Sequence, residues 1–297
     1  MDVEAHRKSF LAQLAKAPAV ADVKPKAVAD YAASSEHDVK ALCDMIGALT
    51  LDPSSFRASV RTLLDIVGND SLETAARLAA LGQLKAAEFQ PAEFAEFHAE
   101  FIDLLRRLAQ SPDRGMRVAA FERLTLTNDA HAQKLLHDGL EIGKPPVSTV
   151  KAIQFLARDD HGSAVPLFRR LAKATIGPVR EQALRALAAD TQSVALFESI
   201  ANDKAEPTRL RQIAAMNLKN TSPTRFAKVA TSLALDDQED DGLRAVAVSA
   251  ITHTSEVAAK VKPEFAASLL AVGVATGSRV LKASIDRYAK AVARKKS

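Results

Sequence analysis

The chain has little of several residue types that usually mark disulfide-rich, aromatic or membrane proteins. Its 297 residues include no tryptophan, two tyrosines and one cysteine, Cys43. A single cysteine excludes an intramolecular disulfide and suits a reducing compartment. Because aromatic residues make up only 5% of the chain, alanine, leucine and valine must fill the core. No strand-like alternation persists, so the sequence predicts an all-α fold.

Targeting signals and common catalytic motifs are also missing. No apolar run approaches the roughly 18 residues that span a membrane, and Met1-Asp2-Val3-Glu4 does not resemble a secretory leader. We therefore expect a cytoplasmic protein without a membrane segment. The sequence has no Gly-x-Ser-x-Gly, no Walker loop and no dinucleotide fingerprint. We predict no catalytic residue and no cofactor, and we favour a non-enzyme without excluding an enzyme.

Two features that could suggest a metal do not have the required spacing. The seven histidines form no His-x-x-x-His pair and no Cys/His zinc pattern. The acidic run from Asp236 to Gly242 resembles the start of a calcium loop, but Val248 occupies the position of the bidentate glutamate. We therefore predict no metal site and interpret the acidic run as a solvated turn at a helix N-terminus.

The most informative feature that is present is a repeat anchored on arginine. Arg180 and Arg211 open two similar segments, Arg117 and Arg244 open two more, and Thr149 fills the slot between Arg117 and Arg180. The successive steps are 32, 31, 31 and 33 residues. A sustained period of this size is typical of a helical repeat array. A further copy at Arg77 precedes Arg117 by a longer step, which predicts an insertion near Lys85–Pro91.

Apolar residues keep the same offsets from each anchor. Three places after it stand Ala120, Ala152, Ala183, Ala214 and Ala247, and seven places after it stand Leu124, Leu156, Leu187, Leu218 and Ile251. These offsets lie on one face of a helix. The small central alanine lets a neighbouring helix approach closely, and the larger residues supply buried area.

This arrangement resembles HEAT repeats, helix–turn–helix units that stack into an α-solenoid. The likeness is carried by Pro112–Ala120, by the Arg180 and Arg211 segments and by Asp240–Ala247; Asp113 and Asp240 match the aspartate that the family often places in the inter-helix turn. The resemblance implies a right-handed α-solenoid of about seven stacked helical hairpins. We expect residues 1–50 to form an N-terminal helical cap that is continuous with an array over residues 51–297.

The resemblance also implies a function, because HEAT-like arrays offer a concave surface lined by the second helix of each pair. Our main hypothesis is a non-catalytic scaffold that binds a protein partner there. Polar residues on those helices are the candidate partner-binding residues: Arg123, Gln154, Glu181, Arg185, Gln212 and Asn217. The sequence does not identify the partner or the oligomeric state.

Two alternatives belong to other functional classes. Some HEAT-like proteins are DNA alkyl-base glycosylases, which use tryptophan and a carboxylate around the damaged base; this chain lacks tryptophan. Its net charge of +4, from 40 basic and 36 acidic residues, permits contact with nucleic acid without favouring it.

Other HEAT-like chains are lyases that act on bilin chromophores. No residue identifies such a site, and the geometry of a pocket would test this alternative.

Two local features are left open by the sequence. Phe94, Phe97 and Phe101 make one helical stripe, which either fills the core or docks a partner, and the exposure of Phe97 would separate these. The anchor arginines either bond the neighbouring turn or form a basic ladder along the groove.

Overall fold

A computed structural model describes residues 23–35, 37–159, 162–254 and 264–294. Within these ranges the regular structure is helical, and the β-type contact is one isolated bridge between Val23 and Leu49. The predicted all-α fold is thus confirmed. Among the described helices, none combines the length and the apolar character needed to cross a bilayer.

The chain divides into two compact units, Met1–Leu135 and Leu136–Ser297. The boundary falls within helix α8, Ala130–Glu141. The first unit contains α1 Pro25–Ala32, α2 Val39–Gly47, α3 Phe56–Gly68, α4 Thr74–Ala87, α5 Pro91–Phe94, α6 His98–Leu108 and α7 Arg114–Leu126. The division into an N-terminal cap and one array stays a prediction.

The second unit continues with the following helices: α9 Thr149–Leu156, α10 Val165–Ala174, α11 Gly177–Ala186, α12 Val194–Asn202, α13 Thr208–Thr221, α14 Pro223–Leu235, α15 Asp241–His253, α16 Glu264–Ala275 and α17 Arg279–Arg294. Successive helices pair as hairpins, such as α12 with α13 and α14 with α15. Neighbouring hairpins stack so that first helices contact first helices and second helices contact second helices. Helices α12, α14 and α16 form one row, and α9, α11, α13, α15 and α17 form the other. This is the helical repeat that the period predicts.

The apolar helix face that contains the recurring alanines, which we call the alanine seam, is buried. The five recurring alanines, Ala120, Ala152, Ala183, Ala214 and Ala247, are at most 3% exposed. The residues seven places after each anchor are buried as well, from Leu124 to Ile251. Methyl side chains at these positions let adjacent helices approach, so each hairpin buries its apolar face against its neighbour.

Each of four anchor arginines joins the two helices of its hairpin by a hydrogen bond. Nε of Arg180 donates to the carbonyl of Ala172 at 3.0 Å, and Nε of Arg211 donates to that of Ala201 at 3.1 Å. Arg77 and Arg244 make the same bond to Val67 and Ala234. Each acceptor lies in the last turn of the first helix of the hairpin, where carbonyls lack partners within the helix. The arginine therefore satisfies a backbone group that the fold would otherwise leave unpaired.

Two of these arginines also join one hairpin to the next. The Nη groups of Arg180 donate to Glu206 at 2.7 and 2.8 Å, and those of Arg211 donate to Glu239. Glu206 and Glu239 lie in the loops before the following second helices. This confirms the structural role for the arginines, since their donors are engaged by carbonyls and carboxylates. The alternative of a basic ladder is not supported.

The phenylalanine stripe belongs to the core of the first unit. Phe97 is only 5% exposed, and the rings of Phe94 and Phe101 meet edge to face with centroids 5.6 Å apart. Short helix α5 and the turns around it occupy the predicted insertion near residue 91. The stripe thus packs the additional segment onto the hairpin, which explains the longer step from Arg77 to Arg117.

The first prediction concerns the buried pair of Arg211 and Glu239. Arg211→Met leaves a buried carboxylate without its partner, so we expect a loss of about 3–5 kcal/mol in the free energy of unfolding. Arg211→Met combined with Glu239→Leu should lose less, because no charge is then stranded. Urea unfolding followed by circular dichroism measures both.

Arg209→Met, which removes an exposed partner of Glu181, should cost under about 1 kcal/mol. Equal losses for Arg211→Met and Arg209→Met would contradict this role.

Carboxylates held by arginine also determine how the fold responds to acid. The Arg169 guanidinium lowers the pKa of Asp190 through hydrogen bonds of 2.6 and 2.7 Å, although partial burial opposes this shift. Burial by itself would raise the pKa of Glu239, but Arg211 and the N–H of Asp240 hold it below the ordinary value. Folding is therefore favoured while these groups are ionised.

A lowered folded pKa contributes stability above the unfolded pKa, near 4, and this stability is lost as pH falls through the folded pKa. We expect the melting temperature to change little from about pH 7 to pH 5 and to fall below about pH 4. Asp190→Asn should melt lower at neutral pH and should fall less steeply in acid. Thermal melts followed by circular dichroism check this. Parallel acid curves for the two proteins would exclude Asp190 as a contributor.

Candidate functional site

The predicted partner-binding residues are mostly engaged within the chain. In the first unit, Nη2 of Arg123 lies 2.6 Å from Oε1 of Glu88, and both side chains are largely buried. In the second unit, Oε1 of Glu181 accepts from Arg209 at 2.8 Å and from Arg185 at 3.1 Å. These two arginines lower the pKa of Glu181.

The remaining candidates differ in exposure. Gln154 donates to Gln182 at 3.3 Å, and half-buried Gln212 makes no side-chain hydrogen bond within the described ranges. Asn217 is buried and donates to the carbonyl of Leu184 at 2.7 Å. Its side chain therefore joins α13 to α11 and presents no group to solvent. The structure brings Glu181 and Arg185 together, but as an internal ion pair.

The acidic run before α15 has local structural roles. Asp240 accepts the N–H of Leu243 at 2.9 Å and caps the helix, Glu239 binds Arg211, and Asp236 binds Lys204 at 2.6 Å. Where the chain is described, no group of three or more His, Cys, Asp or Glu side chains could hold a metal ion.

An apolar pocket opens in the second unit among helices α13, α14 and α15. Its volume is about 310 Å³, which lies at the lower end of the range for small-molecule sites. The lining residues are Ala215, Met216 and Lys219 of α13, Phe226 and Leu233 of α14, and Leu243, Val246, Ala247, Ser249, Ala250, His253 and Thr254 of α15 and its C-cap. The stacking of two neighbouring hairpins therefore forms its walls.

The floor of the pocket is formed by buried side chains, and its rim carries accessible apolar atoms. Phe226, Leu233 and Leu243 are buried in the seam between the hairpins. Met216 and Val246 stand at the rim and are 56% and 40% exposed. Apolar side chains left in water beside a concave surface are typical of a ligand or partner site.

Four polar side chains accompany this apolar lining: Lys219, Ser249, His253 and Thr254. Half-buried Lys219 has neither an ion pair nor a side-chain hydrogen bond with any other part of the chain that is described. Ser249 and His253 lie one helical turn apart on α15 and both line the pocket. The site thus offers an uncompensated ammonium group, hydroxyl groups and an imidazole beside an apolar wall.

Sequence reasoning missed this pocket because it selected polar residues on the second helices. A usable signal is present five places after each anchor. Glu122, Gln154, Arg185 and Ser249 are polar there, but Met216 is not. Met216 is apolar at a position that is polar in the other four of these copies, and it marks where the groove is lined by apolar instead of polar residues.

Comparisons with known proteins give distant likenesses among solved structures. No protein-family model matches the chain, and no curated protein matches it. Among solved structures, the complex of CpcE and CpcF of phycocyanin lyase from Nostoc sp. PCC7120 is similar to it at 16% identity. The match covers 86% of this chain and 97% of that one, with a TM-score of 0.39. At this level the likeness agrees with a helical-repeat class and supplies no argument about residues.

The main hypothesis of a non-catalytic scaffold is corrected here. The similar solved complex is that of a lyase, which fits the lyase alternative better than the scaffold. Arg123, Glu181 and Asn217 are engaged by groups of this chain, and the role of the six candidate residues in partner binding stays a prediction. We therefore do not retain the scaffold, and the proposal below is argued from the pocket.

The second prediction contrasts two of the candidate residues on α13. Asn217→Ala removes the bond to the carbonyl of Leu184 and should cost about 1–3 kcal/mol in the free energy of unfolding. Gln212→Ala should stay within about 0.5 kcal/mol of wild type, because surface substitutions usually do. Urea unfolding measures both. A loss for Gln212→Ala as large as that for Asn217→Ala would contradict the assigned roles.

Proposed function

We propose that this chain is a lyase-type helical-repeat protein that binds a bilin-like chromophore in the pocket among α13, α14 and α15. The observation that carries the proposal is an apolar pocket of about 310 Å³ whose wall includes Lys219, a lysine without an ion pair in the described ranges. A bilin is an elongated conjugated molecule with an apolar body and carboxylate side groups. Both of its features have a counterpart among the lining residues.

The apolar body is matched by the exposed side chains at the rim. Burying Met216 and Val246 against a ligand removes apolar surface from water, at about 25 cal/mol per Å². Methionine also adapts its shape and makes favourable contacts between its sulfur and conjugated rings. The buried ring of Phe226 offers the floor against which such a body can pack.

The carboxylate is matched by Lys219. An ammonium group beside an apolar wall, without a carboxylate partner in the described ranges, can bind the carboxylate of a ligand. In the same unit the arginines at Arg180 and Arg211 already bind glutamates. Lys219 is therefore a cation of the pocket that is available to a ligand.

The chemistry of a lyase requires a proton to move when a bond forms or breaks by addition or elimination. His253 lines the pocket, and its imidazole ring carries nitrogens that can accept or donate a proton. We therefore propose His253 as the proton carrier of the site. The proposal also includes membership of the HEAT family, a cytoplasmic location and a protein partner for the reaction.

Nucleic-acid binding is the weaker alternative. A binding surface for phosphates needs cations that are free to neutralise them. The anchor arginines Arg180 and Arg211 instead bind carbonyls and carboxylates of the chain, so they are not free to bind phosphates.

The third prediction tests the pocket with biliverdin. Saturable binding should appear as a shift in biliverdin absorbance and as a rise in the melting temperature. Lys219→Met should weaken binding about tenfold, which corresponds to about 1.4 kcal/mol. Val246→Asp should weaken it at least as much, because a charge then stands at the apolar rim.

Two controls make this test specific. Lys228→Met removes an exposed lysine of α14 that does not line the pocket, and it should leave the affinity unchanged. Biliverdin dimethyl ester, which lacks free carboxylates, should bind more weakly than biliverdin, and Lys219→Met should weaken it no further. Absence of saturable binding, or equal effects of the two lysine variants, would refute the proposal.

A further inference from the structure

The last hairpin of the second unit leaves one apolar helix face in water. On α16, the exposed residues include Ala267, Leu270, Ala271, Val274 and Ala275. Their spacing of i, i+3, i+4, i+7 and i+8 places them on one face. Val274 is 87% exposed and Leu270 is 46% exposed. The opposite face of α16 is already packed, since Phe265 and Leu269 are buried.

The close packing of α16 on α17 shows that the exposed face is not a poorly formed core. A Cβ placed on Gly273 would lie 2.9 Å from Cγ2 of Ile285, so glycine is needed for this contact. The rings of Phe265 and Tyr288 also meet edge to face, with centroids 5.9 Å apart. The helix is therefore seated on its own hairpin and offers a second apolar face to a partner.

The small residues of this face are arranged symmetrically. Alanine recurs every four residues at Ala267, Ala271 and Ala275. If two α16 helices cross antiparallel at Ala271, Ala267 of one copy faces Ala275 of the other. Methyl side chains at the crossing allow close approach, and Leu270 and Val274 fill the space on either side, as in other helix pairs.

The charges at the two ends of α16 are complementary in the same arrangement. Glu264 is the first residue of the helix, and Arg279 follows shortly after its end. Both are exposed, and neither side chain has a hydrogen bond or an ion pair with the described parts of the chain. The antiparallel crossing brings Glu264 of each copy beside Arg279 of the other. Two equivalent ion pairs then flank the apolar contact, as expected for an isologous interface.

We propose that α16 is a homodimerisation surface on which a second copy of this chain docks antiparallel, with Glu264 of each copy pairing with Arg279 of the other. This interface is separate from the chromophore pocket and does not depend on it. A contact made mainly by one helix from each copy is small, so the dimer belongs with weak interfaces below about 1,200 Å². We expect dissociation in the micromolar range.

The fourth prediction is tested by sedimentation velocity on the full chain. The wild type should be dimeric at about 100 µM and largely monomeric at about 1 µM. Val274→Asp should weaken the dimer at least tenfold, because it places a charge on the apolar face beside the crossing point at Ala271. Ile176→Asp introduces the same charge at a site that is 86% exposed but lies outside this face, and it should change nothing. Melting followed by circular dichroism should show that both variants stay folded.

The arrangement of the copies is tested by exchanging charges. Glu264→Arg and Arg279→Glu should each weaken the dimer, because like charges then meet. An equimolar mixture of the two variants should recover it, since each copy supplies what the other needs. A wild-type chain that stays monomeric at about 100 µM, or binds only anionic vesicles or a different protein through this face, would overturn the proposal. So would a mixture that fails to recover the dimer.

Discussion

The guanidinium group of the repeat arginine is the interaction on which the second unit depends. A hairpin of two short helices leaves the last carbonyls of its first helix without partners. Arg180 and Arg211 bond those carbonyls through Nε, and their Nη groups bind a glutamate of the next hairpin. One side chain thus closes its own hairpin and fixes the position of the next. The larger apolar residues around the recurring alanines provide the buried area, and the arginine determines the register in which that area is buried.

The candidate site follows from this architecture. Because neighbouring second helices stack at a fixed register, the residue five places after one anchor meets the residue two places after the next anchor at a shared groove. Polar residues at these positions bond one another, as Gln154 and Gln182 do. Where Met216 and Val246 stand instead, no internal bond closes the groove and an apolar pocket remains. The site is therefore a local change of composition on a scaffold that is otherwise repeated.

The sequence predicted the fold well because the repeat is a property of spacing. Helix face, hairpin order and burial of the alanines all follow from a period of about 31 residues. The pocket could not be predicted in the same way. Arg123, Glu181 and Asn217 looked available on a helical wheel, yet their partners Glu88, Arg209 and Leu184 lie on other helices. Which polar groups are satisfied internally depends on three-dimensional pairing, and spacing within one helix does not contain that information.

The order of the arginine and its glutamate along the chain has a consequence for synthesis. Arg180 precedes Glu206, and Arg211 precedes Glu239, so each arginine leaves the ribosome before the glutamate that it binds. A nascent hairpin can form its carbonyl bond at once, but its charge is compensated only when the following loop emerges. Until the loop with Glu206 or Glu239 emerges, the growing end therefore carries an arginine whose carboxylate partner is still missing, whereas Arg244 pairs with Asp241, which is made before it. Pairing of Arg180 and then of Arg211 thus proceeds from the amino toward the carboxyl terminus.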